Sequence, residues 1–257
     1  MRNILLTISY DGTDFCGWQR QVFADKGKSV RTVQQVLEDS LEKLHKQKIS
    51  LTGSGRTDSG VHAFAQSANF FSPIDSIPIE KYPVALNCFL PDDVRVMQAK
   101  IVPDDFSARF SATSRTYRYF IHTGNPLASQ MRYVWPIHYK PDIDLLNQMA
   151  NVLKGEMNCA TFAASGDQSL STNRYIDKAH FFYEDEILVF EIEANAFLWK
   201  MVRSITGSLI HFEKTGKDVE YFKEAVFSAD RKKAGPTAPA NGLFLYRINF
   251  DGIRRHV

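Results

Sequence analysis

Between Gly53 and Gln66 the chain reads GSGRTDSGVHAFAQ, so three glycines, Arg56, Asp58 and His62 fall within ten residues. Several chemistries use such a mixture, and spacing separates them. A dinucleotide-binding turn needs G-x-G-x-x-G; Gly53 and Gly55 fit, but Asp58 stands where the third glycine belongs. A P-loop needs a lysine and a hydroxyl after its last glycine, and here Val61 and His62 follow Gly60. A zinc site needs several ligands, and His62 has no second one at a useful spacing. That histidine reads as packed or hydrogen-bonded. What remains is Asp58. An aspartate among glycines accepts backbone N–H bonds and shapes a turn. Held between strands beside an arginine, it is also an oriented carboxylate, able to serve as nucleophile or base.

The elements that must hold this loop follow from periodicity. ISLTGSG reads as a strand running into the loop and AQSANFFS as one leaving it. Residues 3–10 alternate as a strand and end in the turn signal YDG. RTVQQVLEDSLEKLHK is a helix: Thr32 and Gln35 have capping-box spacing, and Val33, Val36, Leu37, Leu41 and Leu44 make one apolar stripe. A further helix is compatible with PVALNCFL. After IVPDDFSARFSATS the pattern restarts with the strand RTYRYFIH and the helix IDLLNQMANVLKG, for which Gly155 is the expected stop. The strands RYIDKAHFFY and ILVFEIEA follow, then a long helix FLWKMVRSITGSLIHFEK, a helix after Asp218 and a closing strand GLFLYRINF. No residue-level repeat is visible, but the element order of the two halves is similar enough to suggest duplication. The elements leave α+β and α/β both open, in two related mixed lobes, 1–105 and 106–257, with a cleft between them as the default place for a site.

Composition narrows the class. The 257 residues are 44% hydrophobic and 23% charged, as in a soluble globular protein. No apolar run approaches the roughly 20 residues that cross a bilayer, and the opening MRNILLTISYDG reads as a strand, not a signal peptide. Cys16, Cys88 and Cys159 form neither a disulfide framework nor a C-x-x-C knuckle, which fits a reducing cytoplasm. Net charge is only +2, yet its distribution is uneven. No acid stands between Asp105 and Asp142, where Arg109, Arg115, Arg118, Arg132 and Lys140 occur; Arg231, Lys232, Lys233 and Arg247 follow Asp230 without an acid before Asp251. Acids gather elsewhere, as at Glu184, Asp185 and Glu186. Such segregation suits a basic face for a polyanion and equally an ordinary solvated surface.

Seven blocks carry a resemblance: YDGTDFCGWQRQ, TVQQVLE, GSGRTDSGVHAFAQ, ALNCFLPDDV, FSARFSATSRTYRY, FLWKMVRSITGSL and AGPTAPANGLFL. In this order, from about Tyr10 to Leu245, the chain resembles the tRNA pseudouridine synthase A family. Its usual loop is G-A-G-R-T-D-A-G-V-H-A-x-G-Q, so Ser54 and Ser59 replace alanines and Ala65 a glycine. Ser107 stands where histidine is common, and VFADKGKS looks like extra residues beside the first block.

The resemblance implies the rest, beginning with an α+β fold whose antiparallel and mixed sheets join into one central sheet around the active-site cleft. The reaction would detach uracil from its ribose, turn it and rejoin it through C5, without redox change, metal or cofactor. Asp58 would be the essential carboxylate and Arg203 its partner. Tyr117 would stack on the flipped uracil, and its hydroxyl would hydrogen-bond or relay a proton. Leu245 would form an apolar wall beneath the base, and Arg56 would contact phosphate or base, as would Gln19 or Arg20. From the residues alone, Tyr117 also reads as core, Arg203 as an arginine snorkelling off the apolar stripe of its helix, and Leu245 as an ordinary core leucine. The implied substrate is the anticodon stem-loop of tRNA, at uridines just 3′ of the anticodon, bound across a homodimer. The rival class is a binding-only RNA chaperone, which would not need a carboxylate beside its anion site.

Overall fold

Alternation sets the first strand: Ile4, Leu6 and Ile8 share one face of β1 (Arg2–Tyr10) and are fully buried. The computed structural model describes residues 1–21, 30–253 and 255; the VFADKGKS stretch lies outside them. The chain divides into two units, Met1–Ala112 with Leu245–Asp251, and Thr113–Phe244 with Gly252–Val257.

In the first unit, α1 (Val33–His45) is capped by Thr32, whose hydroxyl accepts the Gln35 N–H at 3.4 Å. Its stripe buries Val33, Leu37 and Leu41, and His45 at its end meets the Phe70 ring edge-on at 5.6 Å. The short β2 (Thr52–Gly53) pairs with β3 (His62–Ser72). α2 (Tyr82–Asn87) precedes β4 (Val94–Val102). β1 lies antiparallel between β3 and β4, and its register with β3 shifts between Ile8 and Tyr10, beside the Asp58 loop. Such a bulge bends a strand where a functional loop leaves it. A small apolar cluster of Leu5, Val102 and Ala108 is covered by Phe106 and Phe250, whose rings are 5.0 Å apart.

In the second unit, β5 (Ser114–His122) runs antiparallel to β9 (Ile187–Ala194), β9 to β8 (Asn173–Glu184) and β8 to β7 (Gly155–Asn158). The two-residue β6 (Trp135–Pro136) lies parallel beside β5. α3 (Ile143–Asn151), α4 (Met201–Lys214) and α5 (Val219–Phe227) complete it. The last strand, β10 (Leu243–Asn249), opens in the second unit and closes in the first. The architecture is thus α+β, with antiparallel ladders, a parallel β5–β6 pair and, among the described residues, five α-helices.

Several boundaries differ from those the sequence suggests. The reading divides the chain after residue 105, whereas the units part at Ala112 and Thr113 and Leu245–Asp251 returns to the first; only long-range contacts create that return. α3 ends at Asn151, and Gly155, at φ +100°, opens a strand instead of closing the helix. α4 begins at Met201 and not at Phe197, because Lys200 sits in the left-handed region at φ 59°. β4 and β7 carry no clean alternation, so periodicity does not announce them.

α4 is buried almost all round, and one side of it is built from small residues so that a loop can lie against it. The Gly235 N–H donates to Ser208 Oγ at 2.9 Å and the Ala238 N–H to the Arg203 carbonyl at 3.0 Å. A Cβ on Gly207 would stand 1.9 Å from the Pro236 carbonyl oxygen and 2.8 Å from Ala238 N. Gly207→Ala must therefore displace the loop, and overpacking of this kind costs about 1–3 kcal/mol. A lower urea midpoint at unchanged slope is expected; an unchanged midpoint would show that the loop gives way freely. Among the described residues, no helix is long and apolar enough to cross a membrane.

Candidate functional site

Two blocks far apart in sequence interlock to hold the Asp58 loop in the first unit. Trp18, almost fully buried, donates its backbone N–H to the Thr57 carbonyl at 3.1 Å, and its ring leaves no room for a side chain at Gly53. Gly17, at φ +87°, brings its backbone so close that a Cβ would lie 2.6 Å from the Thr57 carbonyl oxygen. The Tyr10 hydroxyl lies 2.8 Å from Thr57 Oγ1. Past the aspartate, Gly60 N–H (3.3 Å) and Ser59 Oγ (3.1 Å) both donate to the Phe15 carbonyl. The Val61 N–H closes the turn on the Asp58 carbonyl at 3.2 Å. Ser54 Oγ donates to Gln66 Oε1 at 2.7 Å, and Gln66 Nε2 donates to the Gly55 carbonyl at 3.0 Å, tying the loop's base to β3. The chain is thus gripped on both sides of Asp58, which is half-buried, while Arg56 is exposed.

His62 is completely buried; its Nδ1 accepts the Gly12 N–H at 3.0 Å and lies 3.1 Å from Asp11 Oδ1. Gln19 and Arg20 are tied to α1, through Gln34 Oε1 at 2.7 Å and Glu38 Oε2 at 2.9 Å. Leu245, on β10, is 0% exposed within the same unit. Among the described residues no group of three or more His, Cys, Asp or Glu side chains is placed to hold a metal ion.

The second unit carries Tyr117 and Arg203. Tyr117 lies on β5 opposite Ile192 of β9, is 8% exposed, and meets the Phe197 ring edge-on at 5.1 Å. Tyr119, two residues along the same face, donates its hydroxyl to the Pro239 carbonyl at 2.7 Å. Burial pushes the Tyr119 phenol well above its ordinary value, and the positive charge of Arg203 opposes that rise. Arg203 is oriented by one peptide: its Nε donates to the Ala238 carbonyl at 2.8 Å while its own carbonyl accepts the Ala238 N–H. Ala238, whose peptide holds the Arg203 side chain, is not singled out by sequence reasoning. The available signal is the small-residue side of α4 (Ser204, Gly207, Ser208), which announces a close neighbour.

The acid-free basic stretch is not acid-free in space. Arg118 Nε pairs with Glu191 at 2.7 Å and its Nη1 reaches Glu184 at 3.3 Å, because β5, β9 and β8 lie side by side. Arg115 Nη1 donates to the Asn195 carbonyl at 2.6 Å. Distance along the chain separates these charges; antiparallel pairing reunites them.

A family model described as tRNA pseudouridine synthase matches residues 6–111 and 149–251. Arg56 and Asp58 fall in the first matched segment, Arg203 and Leu245 in the second, and Tyr117 between them. The chain is 54% identical over 250 residues to a tRNA pseudouridine synthase A from Treponema denticola, covering 97% of this chain and 93% of that one. It is 49% identical over 237 residues to the one from Treponema pallidum (92% and 84% covered) and 41% identical over 253 residues to the one from Brachyspira hyodysenteriae (97% and 99%). With the gripped loop and the oriented arginine both inside the matched segments, the chain belongs to the tRNA pseudouridine synthase family.

Proposed function

We propose that this isomerase converts uridine to pseudouridine in the anticodon stem-loop of tRNA, at uridines just 3′ of the anticodon, with Asp58 as its essential carboxylate. The observation that carries the reading is the double grip on the Asp58 loop: residues 10–18 spend a buried tryptophan, a left-handed glycine and several backbone bonds on holding one exposed-edge turn. A turn with a purely connecting role needs no such fixation. In the reaction the C1′–N1 bond breaks, a C1′–C5 bond forms, the proton on C5 is released and N1 takes one up. Atoms balance without a co-substrate.

The remaining residues take their roles from this chemistry. Extruding the uridine costs a few kcal/mol, and a base stacked on Tyr117 returns about 1–3 kcal/mol; the edge-on contact with Phe197 fixes the plane of that ring. Arg203, aimed by Ala238, supplies a cation for the charge developing on the base. Leu245 forms the apolar wall beneath the uracil. Arg56, exposed beside Asp58, contacts phosphate. The working form is a cytoplasmic homodimer whose tRNA spans both subunits.

The test uses tRNA carrying tritium at uracil C5. Release of tritium to water is expected on mixing with the protein. Tight binding with no release would overturn the isomerase reading in favour of a binding-only RNA chaperone.

A further inference from the structure

At the N-terminus of α4 the second unit opens a cavity of about 370 Å³, whose lining includes Phe162, Ser165, Lys200, Ser204, Arg231 and Thr237. Two cations and three hydroxyls line it, with no carboxylate. Neither cation has an ion pair among the described residues. The Arg231 guanidinium is pinned to its own loop, Nη1 to the Gly235 carbonyl at 3.3 Å and Nη2 to Thr237 Oγ1 at 3.1 Å. Lys200 lies with Nζ 4.7 Å from the centre of the Trp199 ring. The nearby Asp167 carboxylate does not line the cavity. Burial alone would raise its pKa, but hydrogen bonds from the Trp199 N–H (2.6 Å) and from Ser169 outweigh that and hold it low, so it is committed elsewhere.

Ser204 supplies the independent observation. It is 1% exposed, lies in the first turn of α4, lines the cavity, and its hydroxyl has no hydrogen-bond partner among the described residues. Other hydroxyls on the same helix take the usual bond back to the preceding turn: Thr206 Oγ1 to the Val202 carbonyl at 2.8 Å, Ser208 Oγ to the Ser204 carbonyl at 2.7 Å. Ser204 makes no such bond, and a buried hydroxyl left unpaired is costly enough to need a reason. The helix start adds to it, since Lys200 caps α4 without a side-chain hydrogen bond to the first-turn N–H groups. An anion with several acceptor oxygens would satisfy hydroxyl, helix terminus and both cations at once.

We propose that this cavity seats one phosphate of the RNA backbone, hydrogen-bonded by Ser204 and the first turn of α4 and charge-paired by Lys200 and Arg231. The proposal rests on RNA being the substrate. Its use follows from adjacency: Arg203 directly precedes Ser204, so a phosphate held here would tie the substrate to the helix turn that presents Arg203.

The experiment measures tRNA binding by the full-length Asp58→Asn protein across a salt series, alone and with Ser204→Ala or Lys200→Gln added. Lys200→Gln is expected to weaken binding and to reduce the slope of log affinity against log salt by about one, as follows when one phosphate is no longer neutralised. Ser204→Ala is expected to weaken binding about tenfold at unchanged slope, because a neutral hydroxyl releases no counterion. Its urea midpoint should not fall, since the hydroxyl has no intramolecular bond to give up. Inorganic phosphate, followed by 31P NMR, separates the two sources of the anion. Phosphate binding that Lys200→Gln abolishes, with tRNA affinity and slope untouched by either variant, would assign the cavity to a free anion and overturn the proposal. Unchanged affinity and slope without phosphate binding would overturn it as well. Failure of tRNA to bind even the protein unaltered at Lys200 and Ser204 would overturn the substrate reading itself.

Discussion

Asp58→Asn is expected to abolish pseudouridine formation while leaving tRNA binding within a few-fold. The amide matches the carboxylate in size but offers neither a nucleophilic oxygen nor a base. Loss of a group that the chemistry passes through typically costs on the order of 10⁴-fold in rate. The loop should keep its shape, because its grips run through Thr57, Ser59, Gly60 and Val61 and through the backbone of residues 15–18. Tritium release reads the chemistry, filter binding reads the complex, and circular dichroism checks the fold. Parallel loss of binding and activity would mean that the carboxylate shapes the loop and does not do the chemistry.

Gly17→Ala should cripple the enzyme without touching a group that acts on substrate. At φ +87° an alanine is strained, and its Cβ would lie 2.6 Å from the Thr57 carbonyl oxygen, 3.2 Å from the Asp58 carbonyl carbon and 3.3 Å from Ser59 N. These are backbone atoms of the Asp58 turn, so relief must come from moving the turn. A displacement of about 1 Å costs roughly 10²-fold in rate, and the expected result is a fall of that size in kcat with KM little changed. A stability loss of about 1–3 kcal/mol should accompany it. Gly55→Ala is the matched control: it lies in the same loop, yet a Cβ there meets nothing within 4 Å. Full kcat in Gly17→Ala, or an equal loss in Gly55→Ala, would show that the Gly17 contact does not set the turn.

What can be seen in the sequence is what short range dictates. α1 announces itself through Thr32, Gln35 and one apolar stripe, and the structure builds it from those features. The residues alone favour a turn-shaping role for Asp58 over chemistry; the resemblance of seven blocks reverses that preference. What cannot be seen depends on distant contacts. Nothing in YDGTDFCGWQRQ says that Gly17 is small for the sake of Thr57, forty residues on. β4 escapes because Met97 and Ile101 are exposed along it, which blurs the polar–apolar alternation. The apparent basic stretch misleads at Arg118 because charge segregation along a chain does not survive antiparallel pairing.

The return of residues 245–251 to the first unit has a bearing on the order of synthesis. The ribosome makes residues 1–112 first, then all of 113–244, and only then the segment that supplies Phe250 over the Leu5, Val102 and Ala108 cluster. A nascent chain therefore carries the Asp58 loop long before the unit around it can be closed. Final closure waits for the second unit to be translated, and until then Leu5 and Val102 lack part of their cover. The Asp58 loop comes early in the chain and the finished fold late, so the first unit completes its packing only once translation has passed the second.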